Sequence, residues 1–229
     1  MKPILFNTEM VQAILEGRKT VTRRVAKGVI EFENGYYNAL KRGEWSGAIP
    51  ETTLLKEYAP FKVNDVLYVR ETWCKWYCYD CGQCDGDGSC DYGKPLYDTE
   101  REEWFCYCYR ANGDADPFDN EHWKPSIHMP KEAARIFLRV TDVRVERLQD
   151  MTREDILKEG LEDFCKKCSA LFSECDTCMN EGALESDFIE LWNSTIKKDQ
   201  IKLYGWESNP YVWVIEFKDI SEEVKRQQS

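Results

Sequence analysis

Histidine is nearly missing from this chain: only His122 and His128 occur among its 229 residues. Imidazole is the usual carrier of protons near neutrality, so any acid–base chemistry here has to be built from other side chains. The segment that holds His128, "WKPSIHMP", reads as the rim of a pocket. Long apolar runs are missing too. The opening "MKPILFNTEM" has one short run, Pro3 to Phe6, before polar residues resume, which is no signal-peptide core. No stretch approaches the roughly 20 apolar residues of a membrane span. A membrane is therefore excluded, and the cytoplasm is the expected compartment. Internal repeats and low-complexity tracts are absent as well. Basic residues are in deficit, 31 against 42 acidic ones, for a net charge of −11. Such a molecule repels a polyanion as a whole, which rules out general coating of nucleic acid.

What is present suffices for a folded domain. Hydrophobic residues make up 42% of the chain, enough for a sizeable core in one domain over residues 1–229. "KPILF" predicts a short strand, and Thr8 is placed to cap a helix whose Met10, Val11, Ile14 and Leu15 form one stripe, ended by Gly17. Beyond it, Thr20, Val21 and Thr22 predict an extended segment from Lys19 to Val25. "DVLYVRETW" (Asp65 to Trp73) and "RIFLRVTDVRVERL" (Arg135 to Leu148) read as strands, with Val143 and Val145 alternating against Arg144 and Glu146 in the second. "TRED" at Thr152 to Asp155 predicts a capping box opening a short helix that Gly160 closes. A further helix from about Leu184 to Thr195 turns Phe188, Leu191 and Trp192 inward, "YVWVIEF" (Tyr211 to Phe217) is a last strand, and "SEEVKRQQS" a frayed tail. Strands with long irregular connections and few helices point to an α+β fold, a small β-barrel with helices packed on it. Two stretches, 75–122 and 162–182, are longer than a compact domain leaves unstructured, and they read as insertions.

Charge is unevenly spread along the chain. Residues 1–30 carry Lys2, Arg18, Lys19, Arg23, Arg24 and Lys27 against only Glu9 and Glu16, whereas 75–122 hold twelve acidic side chains against Lys75, Lys94, Arg101 and Arg110. An anionic or polar ligand near the N-terminal motif fits this asymmetry. Part of the cationic cluster also has a structural reason, since it follows a helix C-terminus, where the dipole favours positive charge.

All 11 cysteines fall between residues 74 and 178 in two blocks. Their count is odd and no secretion signal precedes them, so disulfides are the weaker reading. "CKKCSALFSECDTC" sets Cys165, Cys168, Cys175 and Cys178 as two chelating turns joined by a short linker, a spacing suited to four thiolates around tetrahedral zinc. "CYDCGQCDGDGSC" offers Cys78, Cys81, Cys84 and Cys90 for a second such site, with Cys106 or Cys108 as substitute ligands. Its opening resembles a ferredoxin run, but the short last spacing followed by proline is missing, which favours zinc over an iron–sulfur cluster. "DGDGSCD" lacks the closing glutamate of a calcium loop. About two structural zinc ions are expected, supplying the folding energy that acidic, glycine-rich insertions cannot draw from apolar burial.

"EGRKTVTRR", Glu16 to Arg24, resembles the G-x-K-T-x-x-x-R signature of the ASCH family, matched by Gly17, Lys19, Thr20 and Arg24. "DVLYVRETW", "IFLRVTDVRVERLQDMTREDILKEG" and "NPYVWVIEF" are similar to later blocks of that family, especially in its longer bacteriophage members. The resemblance covers about residues 3–25, 60–74, 123–161 and 184–220, and leaves the cysteine-rich stretches outside it. It implies a PUA-like β-barrel related to RNA-binding modules. Small bacterial members are amidohydrolases that deacetylate N4-acetylcytidine with a Lys–Thr–Glu triad, which falls here on Lys19, Thr22 and Glu159, with Glu154 and Glu162 close by in sequence.

The chemistry that the resemblance implies is coherent. A threonine hydroxyl attacks only when a base takes its proton, and a lysine serves only when its amine is partly neutral. Arg18, Arg23 and Arg24 favour that by like-charge repulsion. Thr22 would attack the amide carbonyl, Glu159 would orient the pair or help protonate the leaving amine, and Arg24 or a backbone N–H group would receive the oxyanion. Without the resemblance, Lys19, Thr20 and Thr22 read as ordinary strand residues after a helix cap. Arg23 stands where the small enzymes carry an apolar residue and would add a phosphate contact, so a nucleotide or oligonucleotide suits the site better than a free nucleoside. Two other functions compete. One is a non-catalytic binder of RNA or a modified nucleotide, with Trp123, Trp206 or Trp213 stacking on a base. The other is a phage accessory protein whose metal-stapled insertion binds a host protein.

Overall fold

The computed structural model describes residues 1–33, 35–77, 95–113, 122–164, 171 and 182–228. In chain order the elements are β1 (Lys2–Leu5), α1 (Thr8–Leu15), β2 (Val21–Val25), β3 (Val29–Glu33), β4 (Tyr36–Lys41), β5 (Glu44–Trp45), β6 (Ile49–Pro50), α2 (Glu51–Glu57), β7 (Val66–Arg70), β8 (Trp73–Tyr77), β9 (Leu96–Asp98), β10 (Glu103–Tyr109), β11 (Phe137–Arg147), α3 (Arg153–Lys158), α4 (Ala183–Thr195), α5 (Ile201–Tyr204), β12 (Tyr211–Asp219) and α6 (Ser221–Gln228). The fold is mixed α+β, as the sequence predicts. They gather into two compact units, each built from separate stretches: Met1–Gln12, Leu67–Leu138 and Ile220–Ser229 in one, Ala13–Val66 and Arg139–Asp219 in the other.

In the first unit β1 runs parallel to β7, Lys2 opposite Leu67 and Leu5 opposite Arg70. β10 lies between β8 and β9 in an antiparallel sheet, so part of the stretch expected as an insertion is strand. Cys108 sits directly opposite Cys74, and both are fully buried with Trp76 and Trp123 around them. A second cluster joins Trp73, Tyr109, Met129 and Ala133. The tail expected to fray is the helix α6. Its Val224 buries one turn after Ile220, whose N–H donates to the Phe137 carbonyl (2.8 Å), while the Phe137 N–H donates to Ser221 Oγ (2.9 Å). An apolar pair at helical spacing outweighs the polar composition of that segment.

In the second unit β2 pairs antiparallel with β12, Thr22 opposite Ile215 and Arg24 opposite Trp213, and β12 neighbours β11. Helices α3 and α4 cover one face of these strands, and Val21, Leu148, Ile156, Leu184, Phe188, Trp192, Val212 and Val214 form the core between them. β3 and β4 make a hairpin to which β5 and β6 add. The expected barrel is not found closed: the pairings among the described residues make several sheets, none of which joins its own ends. At β2 the reason is local. The Thr20 carbonyl accepts from Phe217 N–H on the β12 side, so alternation turns the Val21 carbonyl to the other edge, where the Lys19 amine takes the place a further strand would need.

The helix caps decide where the motif residues land. Asn7, not Thr8, caps α1, its Oδ1 accepting from Met10 N–H at 2.9 Å. Val11, Ala13 and Ile14 bury, while Leu15 is exposed. At the other end the Ala13 carbonyl takes the N–H groups of both Arg18 (2.9 Å) and Lys19 (3.0 Å), with Gly17 at φ +75° making the left-handed turn. Among the described residues no helix is long and apolar enough to cross a membrane.

Candidate active site around Lys19 and Glu159

Helix α3 is only six residues long, and its ends hold it in place. Thr152 and Asp155 form the expected capping box, the Thr152 N–H donating to Asp155 Oδ2 at 3.0 Å and Asp155 N–H to Thr152 Oγ1 at 3.3 Å. At its C-terminus the Lys158 carbonyl accepts from Thr20 N–H at 2.9 Å, tying the helix to the start of β2. Gly160 follows with φ +99°, and a Cβ there would stand 2.8 Å from Ala13 Cβ and 2.9 Å from Lys19 Cβ. Only glycine permits that approach. Glu159, between these anchors, is thereby set against Lys19, 140 residues earlier in the chain.

The contact is buried. Lys19 is 3% exposed, Thr22 2%, Arg23 3% and Glu159 5%. The Lys19 ammonium donates to Glu159 Oε2 (2.7 Å), the Glu159 carbonyl (2.7 Å) and the Val21 carbonyl (2.8 Å), so three donors meet three acceptors. Arg23 donates from Nη1 to the other carboxylate oxygen, Glu159 Oε1, at 3.1 Å. Its Nη2 stands 3.7 Å from both Glu146 Oε2 and Asp155 Oδ1. Burial lowers the Lys19 pKa below the usual lysine value; Glu159 opposes this, and Arg24 and Arg23 add to it. Burial likewise lowers Arg24, which remains a cation.

Thr22 lies on the opposite face of β2 from Val21 and Arg23, beside Ile215, with Arg24 and Trp213 next along that face. None of the described hydrogen bonds involves its hydroxyl. The Lys19 amine lies at the edge of β2, on the Val21 carbonyl. Of the neighbouring glutamates, Glu154 is exposed and paired with Lys158, and Glu162 is exposed near Arg18; neither faces Lys19. Trp213 is buried on β12, Trp206 is half-buried against Phe188, and Trp123 belongs to the first unit, against Cys74, Trp76 and Cys108. Cys78, Cys81, Cys84, Cys90, Cys165, Cys168, Cys175 and Cys178 all lie outside the described residues. Among the described residues no group of three or more His, Cys, Asp or Glu side chains is arranged to hold a metal.

Sequence reasoning passed over Glu71, which is 1% exposed in the first unit. Arg135 grips it with two hydrogen bonds of 2.9 Å and stacks its guanidinium 4.1 Å from the centre of the Tyr109 ring. A glutamate flanked by Arg70 and Thr72 reads as a solvent-facing strand residue, and only the fold turns it inward. Glu146 and Asp155 were likewise assigned to a solvent face and a helix cap, and both also face Arg23. Comparison with known protein families, with curated proteins and with solved structures returned no match.

Proposed function

We propose that this chain is a PUA-like, ASCH-type amidohydrolase that removes the acyl group from N4-acetylcytidine or a nucleotide bearing it. The observation that carries this reading is the buried Lys19–Glu159 pair, drawn from two distant stretches to the edge of the strand that bears Thr22. Buried ion pairs are poor stabilisers compared with apolar packing, so a site with a task is the better account of this one. In the resting protein Lys19 is a saturated ammonium. Loss of one proton leaves two N–H groups and a lone pair, and burial brings that loss below the usual lysine range. The neutral amine then takes the Thr22 Oγ proton while Oγ attacks the acyl carbon. The C–N4 bond breaks as the Lys19 ammonium returns that proton to N4, which leaves as the cytosine amine, and water, deprotonated by the Lys19 amine, releases the acid from the threonine ester. Glu159 holds the re-formed ammonium, and Arg24, on the Thr22 face, is the nearest cation for the oxyanion.

The test is to incubate purified protein with N4-acetylcytidine and with acetylated cytidine nucleotides and to follow deacetylation. Release is expected, rising with pH as Lys19 deprotonates and levelling below the ordinary lysine range. Thr22→Val, which keeps the shape and removes the hydroxyl, should abolish it. Full activity in that variant, or no release by folded wild type, overturns the assignment.

One observation favours a second reading, a non-catalytic binder of RNA or a modified nucleotide at the same place. The Thr22 hydroxyl has no described hydrogen bond to Lys19, whose donors are all engaged elsewhere. Binding without release in the same experiment selects it. Under either reading the two cysteine runs hold structural zinc.

A further inference from the structure

Arg23 is an odd residue to bury. Among the described residues its guanidinium makes one hydrogen bond, to Glu159 Oε1, while Nε and Nη2 are buried with no hydrogen-bond partner. Unsatisfied buried donors are costly, and a leucine would fill the slot without that cost. Nor does the side chain reach outward for a phosphate, since it is enclosed between β2, β11 and α3. We propose that Arg23 is a positioning residue: from inside the protein it grips Oε1 of Glu159 and so fixes the carboxylate with Oε2 turned to the Lys19 amine, while Nη2 stands between Glu146 and Asp155.

The arrangement divides one carboxylate between two cations. Arg23 holds one oxygen of Glu159 at 3.1 Å and Lys19 the other at 2.7 Å. The charge of Glu159 therefore falls only partly on the amine, and the guanidinium adds its own repulsion. Glu146 and Asp155 face Arg23 from β11 and α3, each 3.7 Å from Nη2; they keep the guanidinium charge balanced without drawing it off Glu159. Arg144 in turn holds Glu146 and Glu216. Arg24 also acts on the amine by repulsion, and Arg18 is occupied by the Gly160 carbonyl and Glu16. Without Arg23, the Glu159 carboxylate keeps only Lys19 as a hydrogen-bond donor among the described residues, Lys19 holds its proton to higher pH, and the base is withdrawn from use.

This inference rests on the reading of Lys19 as a base, but its test needs no substrate. Protein labelled with 13C,15N-lysine is titrated by NMR, the Lys19 signal being identified by its loss in Lys19→Arg. In Arg23→Leu the Lys19 amine should titrate about one pH unit higher than in wild type, and Arg23→Lys should return it most of the way. Should Arg23→Leu fail to fold, Arg23→Gln, which keeps a donor for Oε1 and no charge, carries the same test. A Lys19 titration that stays put or moves down in the neutral variant overturns the proposal. With an active enzyme, the rising limb of kcat should move by the same amount with KM little changed; a higher KM with an unmoved limb would make Arg23 a substrate contact. Failure to deacetylate by wild type would overturn the enzyme reading and leave the NMR result standing.

Discussion

At Lys19 and Glu159 two opposite charges are held almost out of reach of water, and removing one strands the other. Lys19→Ala should therefore destabilise the protein by about 3–5 kcal/mol, whereas the double variant Lys19→Met with Glu159→Gln should cost clearly less than the sum of the two single changes. Urea unfolding checks this; a loss below about 1 kcal/mol in Lys19→Ala would mean that the pair is hydrated in solution. The same burial makes Lys19→Ala a poor probe of catalysis, and Thr22→Val the cleaner one. At this scale the sequence was readable through its motif. "GRKT" marks Lys19 and the resemblance marks Glu159, but nothing in local spacing couples the two across 140 residues, and a small slip would exchange Glu159 for Glu154 or Glu162; Gly160 fixes the approach. Arg23 was the misleading residue. Its sequence reading is a phosphate contact, but three successive buried side chains in β2 enclose it.

Short elements here take their place from their ends. Helix α3 is too brief to be stable alone, and it is pinned by the Thr152–Asp155 box, by the bond from Thr20 N–H to the Lys158 carbonyl, and by the fit of Gly160 against the last turn of α1. Gly160→Ala should therefore do more than strain a φ of +99°: its methyl would push on Ala13 and Lys19, cost about 2 kcal/mol or more, and shift the Lys19 amine from Glu159. Thermal unfolding beside a lysine-labelled NMR spectrum would show both effects, and a variant unchanged in both would place the helix end elsewhere. Elements with a buried stripe or a cap were legible: β11 through its alternating valines, α3 through its box, α4 through Phe188 and Trp192. The hairpin β3–β4 was not, because Ile30, Phe32 and Tyr36 point to solvent and invert the usual pattern. Likewise α6 was hidden by a polar segment in which a single apolar residue, Val224, does the docking.

For the molecule as a whole the open quantity is metal. Untagged protein should carry about two zinc ions per chain, and elemental analysis showing none, or the visible absorbance of an iron–sulfur cluster, would overturn the four-thiolate assignment of Cys78, Cys81, Cys84 and Cys90 with Cys165, Cys168, Cys175 and Cys178. Cys74, Cys106 and Cys108 are buried in the strand pair β8–β10.

The distance in sequence between Lys19 and Glu159 has a temporal side. At the roughly 5–20 residues per second of a translating ribosome, a lysine waits on the order of ten seconds for a partner 140 residues downstream. During that interval its ammonium stays in water, because burying it alone would cost several kcal/mol. The inner edge of β2 therefore closes late, when α3 arrives with its carboxylate already set by Thr152 and Gly160. The site is finished by the same event that seals that part of the core, so a nascent chain halted before α3 should hold neither.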